Sequence, residues 1–211
     1  MDESRRVRET YDRIAAHFAS TREHPWPEVE AFLDDRSGAF GLDVGCANGR
    51  HAELLAARTD RAVGMDVSRG LLGEARDRAR TRGFAVDLVQ GDAAGLPIRS
   101  RRVDLALYVA TIHHLRDRET RVRSLDELAR VLAPDGRALV SAWSTAHDRF
   151  DSESGFDTTI SWTLPGGETV PRFYHIYAPE EFRADVANSA LAIEAFEVSS
   201  GNCYATVRRE Q

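Results

Sequence analysis

The 211-residue sequence contains no lysine, so arginine carries all 28 of its basic charges. Its two cysteines, Cys46 and Cys203, are too few for a disulfide framework or a zinc site, which favours a reducing compartment. No apolar run approaches the roughly 20 residues of a membrane helix. The charged N-terminus also lacks the apolar stretch of a signal peptide. We therefore expect a cytoplasmic protein with no bound metal and no membrane contact.

The charge balance limits the partners further. Acidic side chains number 34 and give a net charge of −6, whereas non-specific nucleic-acid binding needs a basic domain. A polyanion would have to be held by a local arginine cluster or by a second subunit. Such clusters lie at residues 5–8, 99–102 and 116–123.

Apolar strands alternate with helices along most of the chain. Strands are predicted at 40–44, 62–66, 85–90, 103–109 and 137–143, with helices at 48–58, 68–82 and 118–132. This alternation is typical of a parallel sheet covered by helices on both faces. Further helices are predicted at 4–21, 28–33 and 179–188, and segments 191–198 and 203–207 predict a C-terminal antiparallel hairpin.

The sequence thus predicts a single α/β domain, residues 1–211, with a seven-stranded, mostly parallel sheet. Residues 1–36 are expected to form an N-terminal helical cap and residues 37–144 the cofactor-binding core. Residues 145–178, which begin with many Ser, Asp, Thr and Gly, are expected to form an inserted loop or substrate cap. Residues 179–211 supply the terminal helix and hairpin.

The segment Leu-Asp-Val-Gly-Cys-Ala-Asn-Gly at 42–49 joins the first apolar strand to its helix. Small residues there let a ligand approach the backbone at the switch point of an open sheet. The dinucleotide fingerprint is absent, because Ala47 replaces its second glycine and Arg50 its third. The remaining pattern, D-x-G-x-(G/A)-x-G, is similar to the loop of S-adenosylmethionine-dependent methyltransferases. A plain tight turn is the other interpretation.

Acidic residues follow at the next two strand ends. Asp66 can accept hydrogen bonds from ribose hydroxyls, although it could instead cap a helix, a task for which Ser68 is better placed. Asp92 can accept from an adenine amino group while the Ala93 amide meets a ring nitrogen. The pattern predicts S-adenosylmethionine as the cofactor. Its predicted contacts are Asp43, Gly45, Ala47, Gly49, Asp66, Val67, Asp92, Ala93 and Val109.

The residues after the fourth strand, which normally face the methyl acceptor, include His113 and His114. They lack the Asn/Asp-Pro-Pro-Tyr/Phe segment typical of enzymes that methylate base amines. Neither cysteine is placed to be the nucleophile of pyrimidine carbon methylation. Ribose methylation by a Lys-Asp-Lys-Glu arrangement is impossible without lysine. Two kinds of methyl acceptor remain. One needs little activation, such as a carboxylate, and the other is a small molecule activated by histidine.

Longer motifs resemble those of the tRNA wobble-uridine carboxymethyl methyltransferases. They are V-R-x-x-Y-D-x-I-A-x-H-F-x-x-T-R-x-x-P-W-P at 7–27, I-H-H-L at 112–115, E-L-x-R-V-L at 127–132, R-F-Y-H-I-Y at 172–177 and G-N-C-Y at 201–204. The resemblance covers nearly the whole chain and implies a Rossmann-like class I methyltransferase fold. Two positions depart from the family pattern: Ala47, where glycine is usual, and Cys203, where tryptophan is usual.

The resemblance implies methyl esterification of 5-carboxymethyluridine at the wobble position of the tRNA anticodon loop. It also implies a small zinc-binding activator subunit that several methyltransferases share. A carboxylate is already ionised at pH 7, so no general base is required and alignment is the main task. The predicted catalytic residues are His113, His114, Arg172, Tyr174 and His175.

Several of these assignments have alternatives. His17 and Arg22 complete the predicted cofactor-binding set, although Arg22 could hold the acceptor instead. One of the two adjacent histidines could be a packing residue, and Arg172 and His175 could be structural. The whole chain could be a methyltransferase of small molecules, such as quinone precursors or carboxylic acids, which its acidic charge favours. It could also be a non-catalytic subunit that binds the cofactor and scaffolds a partner.

Overall fold

A computed structural model of the chain describes residues 3–210 and contains nine strands. They are β1 (Gly38–Val44), β2 (Thr59–Asp66), β3 (Asp87–Gln90), β4 (Val103–Val109), β5 (Leu132–Trp143), β6 (Phe156–Thr163), β7 (Thr169–Ile176), β8 (Leu191–Ser199) and β9 (Asn202–Arg209). Seven of them form one sheet in the order β3-β2-β1-β4-β5-β9-β8. Strands β1 to β5 are parallel, whereas β9 pairs antiparallel with β5 and β8. The predicted fold class is confirmed.

Six α-helices and a short 3-10 helix connect these strands. The helices are α1 (Glu3–Ser20), α2 (Pro27–Leu33), α3 (Arg50–Ala56), α4 (Arg69–Arg82), α5 (Arg118–Val131) and α6 (Pro179–Ala187), and the 3-10 helix is Ile112–His114. The largest difference from a predicted boundary in the main sheet is the start of β5. This strand begins at Leu132 because Leu132 pairs with Val103 before an irregularity in the register. No helix in the described range is long and apolar enough to cross a membrane.

The central strand β4 shows why the sheet is covered on both sides. Leu105 and Leu107 pack with buried residues of α2 and α3, including Phe32. Ala106 and Tyr108 face the opposite way and pack with the core that α5 and α6 complete. Successive side chains of a strand point to opposite faces, so a near-continuous apolar run requires two covered faces.

The segment predicted as an inserted loop or cap contains an additional hairpin. Strands β6 and β7 pair with each other and form a separate two-stranded antiparallel sheet. Ile160 and Trp162 of β6 are buried, whereas their neighbours Ser161 and Thr163 are exposed. The hairpin has one buried and one solvated face, so its sequence lacks the continuous apolar run that marks the strands of the main sheet.

Helix α1 connects the main sheet region to the β6–β7 hairpin. Asp12 accepts hydrogen bonds from the Ser68 hydroxyl at 2.7 Å and the Gly70 amide at 2.9 Å, at the start of α4. On the other side, the Trp162 indole nitrogen donates to His17 Nδ1 at 3.0 Å. Arg13 forms an ion pair with Glu168 in the turn between β6 and β7. The helix is therefore fixed between the core and the hairpin.

Candidate active site

A cavity of about 360 Å³ lies where the carboxyl ends of β1, β2 and β4 meet. We call it the central cavity. The strand order reverses between β1 and β4, and ligands of open α/β sheets bind at such switch points. Seven predicted cofactor contacts line it: Gly45, Ala47, Asp66, Val67, Asp92, Ala93 and Val109. The fold thus brings most of the predicted cofactor-binding residues together around one cavity.

The loop after β1 turns through three left-handed residues. Gly45, Ala47 and Gly49 have φ angles of 75°, 48° and 77°. A Cβ atom on Gly45 would lie 2.1 Å from the Thr111 hydroxyl oxygen, so the loop can approach the end of β4 only with glycine there. Ala47 adopts the left-handed conformation with a Cβ atom, which costs about 1–2 kcal/mol. This cost accounts for glycine being the usual residue at that position.

Two carboxylates hold backbone amides at the cavity wall. Asp66 accepts from the amides of Ala47 and Ser68, each at 2.9 Å, and so ties the loop after β1 to the start of α4. Burial raises the pKa of Asp66 to about 6, although the backbone hydrogen bonds oppose the shift. Asp92 accepts from the amide of Ala94 at 2.9 Å. Both retain oxygen lone pairs that can accept further hydrogen bonds.

Asp43 lies behind the wall of the central cavity and is 1% exposed. Burial and the nearby Asp66 raise its pKa to about 7, whereas Arg50 and a hydrogen bond from the Ala52 amide lower it. Its Oδ2 atom is buried without a hydrogen-bond partner among the described residues. A buried carboxylate with a vacant oxygen fits a cationic group nearby. S-adenosylmethionine carries an ammonium and a sulfonium, so this part of the site fits the cofactor.

Three other predicted cofactor contacts do not line the central cavity: Gly49, His17 and Arg22. Gly49 caps the start of α3. The Arg22 guanidinium lies over the rings of Phe18 and Trp162, at 5.5 and 5.3 Å. Their assignment as cofactor contacts stays a prediction.

Sequence reasoning missed several residues that line the central cavity. They include Tyr11, Arg50, His51, Thr111 and Arg116. His51 is buried and accepts from the Trp26 amide at 3.4 Å, and burial lowers its pKa to about 3. The position of Arg50 directly after the glycine loop was a usable signal, because the first turn of the following helix borders such a site.

A second cavity of about 540 Å³ lies between α1 and the β6–β7 hairpin. We call it the arginine cleft, because Arg6, Arg13, Arg116 and Arg172 line it. Tyr11 and His114 line both cavities and are joined by a hydrogen bond of 2.8 Å. This pair therefore stands between the cofactor side and the cleft.

Hydrogen bonds and burial fix the protonation of His114. Its Nδ1 lies 2.9 Å from the carbonyl oxygen of Phe173, which can only accept, so Nδ1 carries the proton. Its Nε2 accepts from the Tyr11 hydroxyl. Burial lowers the pKa of His114 to about 4, with a further decrease from Arg172. His114 is neutral at pH 7.

His113 and Tyr174 lie behind this surface. His113 Nδ1 accepts from the Trp143 amide at 2.9 Å, and burial, His114 and Arg172 lower its pKa well below the usual value. The Tyr174 ring packs against both histidines, at centroid distances of 4.9 and 4.6 Å. Neither residue lines the central cavity or the arginine cleft. One of the adjacent histidines thus faces the site while the other packs.

Arg172 brings a buried positive charge to the floor of the arginine cleft. It is 9% exposed, and its guanidinium lies between the rings of Trp162 and Tyr174, at 4.8 and 5.1 Å. Within the described chain it forms no ion pair, and its Nε has no hydrogen-bond acceptor. A buried charge without a partner is costly, so the site is built for an anion.

His175 points away from both cavities. Its Nδ1 lies 2.7 Å from Asp157 of β6, and its Nε2 lies 2.9 Å from Glu181 of α6. Arg172 and Tyr174 share one face of β7, and His175 lies on the other, because side chains alternate along a strand. The structure therefore does not bring His175 together with the other catalytic candidates, and its catalytic role stays a prediction.

Replacing His175 by alanine tests whether this residue holds the hairpin or contacts the acceptor. Its loss leaves Asp157 and Glu181 without their shared partner, so we expect a decrease of about 1–2 kcal/mol in the free energy of unfolding, limited by the exposure of Asp157. Urea denaturation measures this change. His175→Gln keeps one hydrogen bond and should recover part of it. Lost transfer activity at unchanged stability would instead support direct contact with the acceptor.

The fold and the site together define a class of protein. The methyltransferase domain model matches residues 42–140. The CcbJ methyltransferase from Streptomyces caelestis has a similar structure, with a TM-score of 0.76, 18% identity and full coverage of both chains. A methyltransferase in complex with the Haloferax volcanii Trm112 methyltransferase activator has a TM-score of 0.71 and 15% identity, over 97% of this chain and 98% of that one. The chain is a class I methyltransferase domain, and S-adenosylmethionine is its cofactor.

Sequence relatives narrow this class to one family. The tRNA (carboxymethyluridine(34)-5-O)-methyltransferase of Schizosaccharomyces pombe is 32% identical over 77% of this chain and 69% of that protein. The enzyme of the same name from Saccharomyces cerevisiae is 33% identical over 79% of this chain and 59% of that protein. This chain belongs to the tRNA (carboxymethyluridine(34)-5-O)-methyltransferase family. It spans 22% of the mouse relative ALKBH8 and 34% of the Arabidopsis thaliana relative.

Proposed function

We propose that this chain transfers the methyl group of S-adenosylmethionine to the carboxylate of 5-carboxymethyluridine at the tRNA wobble position. The product is the methyl ester. The observation that carries the proposal is Arg172, a buried guanidinium with no acidic partner among the described residues, next to the central cavity. An arginine fork matches a carboxylate in shape and charge. The names of the family relatives support the tRNA substrate.

When bound, the cofactor supplies an electrophilic methyl group on a positively charged sulfur. Arg172 would hold the acceptor carboxylate so that one of its oxygens meets the methyl carbon in line with the departing sulfur. Such positioning can correspond to effective molarities of about 10⁵ M or more. The new C–O bond would form as the C–S bond of the cofactor breaks, and the electron pair of that bond would remain on the sulfur. No proton moves, because the acceptor is ionised at pH 7.

Neutral histidines suit this task. A second cation beside Arg172 would stabilise the free carboxylate further and lower its nucleophilicity. His113 and His114 add no such charge, because burial keeps the pKa of each low. Tyr11 donates its hydroxyl hydrogen to His114, and that bond keeps the imidazole in place at the border that the two cavities share.

The proposal includes a small zinc-binding activator subunit and action in the cytoplasm. The structural similarity to a methyltransferase in complex with a Trm112 activator supports the first part. The acidic charge of the chain also supports a partner that completes the RNA-binding surface, since a net charge of −6 opposes binding of a polyanion. We expect modest tRNA affinity for the chain alone.

A second candidate is methylation of a small carboxylic acid. The net charge of −6 favours it, because a small acceptor needs no extended basic surface. Arg172 would hold such an acid as well as it would hold the modified uridine. The two candidates differ in whether the acceptor must be part of an RNA.

One experiment separates them. The purified chain, with and without a zinc-binding activator, is incubated with labelled S-adenosylmethionine and tRNA bearing carboxymethyluridine. The RNA is then digested and its nucleosides are identified by mass spectrometry. We expect the methyl ester, with the activator increasing its yield. Measurable cofactor binding without ester under either condition would overturn the proposal and favour the small-acid candidate.

A further inference from the structure

The arginine cleft differs in sign from the protein as a whole. Of the residues that the structure describes, four arginines and one acid, Glu9, line it, although the complete chain has a net charge of −6. Arg172 lies at the floor, while Arg6 and Arg116 are exposed at the rim. A cleft lined by one sign of charge concentrates ligands of the opposite sign. A ligand that enters the cleft therefore meets positive charge both at the exposed rim and at the buried floor.

The rim charges are held in different ways. Arg116 lies over the Phe173 ring at 4.3 Å and borders both cavities. Arg6 has no ion pair within residues 3–210, whereas the neighbouring Arg5 pairs with Glu9 at 2.8 Å. Arg13 is already paired with Glu168. Arg6 forms no ion pair within residues 3–210 and Arg116 borders both cavities, so an anion that enters the cleft meets these two rim residues first.

We propose that Arg6 and Arg116 bind a backbone phosphodiester next to the acceptor uridine, while Arg172 holds the carboxylate of its base. The inference rests on the proposed function. An acceptor with one carboxylate would use only the floor of the cleft and would bring no anion to its positive rim. A nucleotide within a single-stranded loop carries both anions, one on the base and one on the backbone. The cleft is therefore a nucleotide site with separate base and phosphate positions.

The test measures RNA binding without catalysis. Affinity of the chain for an anticodon stem-loop bearing carboxymethyluridine is measured by fluorescence anisotropy at several salt concentrations. Each phosphate contact in single-stranded RNA adds about 0.7 to the slope of log affinity against log salt. Arg6→Ala and Arg116→Ala should each reduce the slope by about 0.7 and weaken binding by about tenfold at low salt. Arg80→Ala, a change at an exposed arginine of α4 that lines neither cavity, is the matched control.

A variant that is expected to bind RNA more tightly tests the same inference in the opposite direction. Glu168→Gln removes the partner of Arg13 at the edge of the cleft and should steepen the salt dependence. The pair is exposed, so the effect on stability is expected to be small. Transfer assays add a comparison of acceptors: Arg6→Ala should lower kcat/KM for the stem-loop more than for free carboxymethyluridine nucleoside.

The outcomes are distinguishable. Equal salt slopes for wild type, Arg6→Ala and Arg116→Ala would overturn the phosphate assignment even if the wild type forms the ester. Equal losses with the stem-loop and the nucleoside would also overturn it. Failure of the wild type to form any ester on RNA would overturn the proposed function, and the binding slopes would still report whether the rim holds a phosphodiester.

Discussion

Arg172→Met is expected to lower methyl transfer to a carboxylate acceptor by about three orders of magnitude and to leave cofactor binding intact. Removing one partner of a buried ion pair costs about 3–5 kcal/mol, and each 1.36 kcal/mol corresponds to a factor of ten in rate. The acceptor carboxylate would enter the floor of the cleft without its partner. Initial rates with labelled S-adenosylmethionine measure the loss, and calorimetric titration measures cofactor affinity.

Arg172→Met is also expected to leave the thermal stability of the unliganded protein unchanged or to raise it. In the unliganded protein the Arg172 guanidinium is buried and has no acidic partner within residues 3–210, so methionine removes a buried charge while it keeps a similar length. The lost cation–π contacts with Trp162 and Tyr174 oppose this gain by about 1–2 kcal/mol. We therefore expect an unchanged or raised melting temperature together with lost activity. Thermal unfolding without ligands provides this measurement.

Two further variants separate charge from geometry. Arg172→Lys keeps the charge but loses the planar fork, so its activity should lie between those of the wild type and Arg172→Met. Arg183→Met is the matched control, because Arg183 lies over Phe196 at 5.4 Å on the exposed side of α6. Arg172 would be structural, and the carboxylate assignment wrong, if Arg172→Met unfolded several kcal/mol more easily than wild type and retained transfer activity.

The sequence predicted the main sheet because burial on two faces leaves continuous apolar runs. Strand β4 was predicted at its observed bounds, Val103–Val109, for this reason. The β6–β7 hairpin was not predicted, because it buries one face against α1 and leaves the other in solvent. Its polar composition and its turn at residues 164–168 are equally typical of a loop. Composition alone could not separate these two structures.

Because the β6–β7 hairpin was not predicted, the sequence analysis also could not separate His175 from the other catalytic candidates. Once residues 169–176 are known to form a strand, alternation places Arg172 and Tyr174 on one face and His175 on the other. The sequence could have separated them by this rule alone. The pairing of Tyr11 with His114 was beyond sequence reasoning, because 103 positions separate them and only the packing of α1 brings them together.

Asp43→Asn is expected to change how cofactor affinity depends on pH. Burial and Asp66 raise the pKa of Asp43 to about 7 in the free protein, so about half of the molecules carry a proton there at pH 7. A cationic ligand favours the ionised carboxylate, so binding must release this proton. Affinity therefore rises with pH through about 7 and then levels off. The ratio of wild-type to Asp43→Asn affinity should increase about tenfold between pH 6 and pH 8.

The ratio of wild-type to Asp43→Asn affinity reports the ionisation of Asp43 alone. Every other titrating group, including those of the ligand and Asp66, is present in both proteins. Titration calorimetry with S-adenosylmethionine at pH 6, 7 and 8 provides the affinities, and buffers of different ionisation enthalpy report the proton released. Asp104→Asn is the control, because Asp104 accepts the amides of Ala39 and Phe40 at the opposite end of β1. An affinity ratio that stays constant across this pH range would show that Asp43 does not ionise on binding.

Stability should change in the opposite direction from binding. A carboxyl group whose pKa is raised on folding stabilises the protein fully below its unfolded value of 3.8, and this contribution is lost as pH rises through about 7. At pH 8 wild-type Asp43 is ionised in a buried position, so Asp43→Asn should be more stable by up to about 4 kcal/mol. The amide oxygen can still accept from Ala52. A variant that is more stable at pH 8 yet binds the cofactor more weakly would identify Asp43 as a carboxylate kept for its ligand at a cost to the fold.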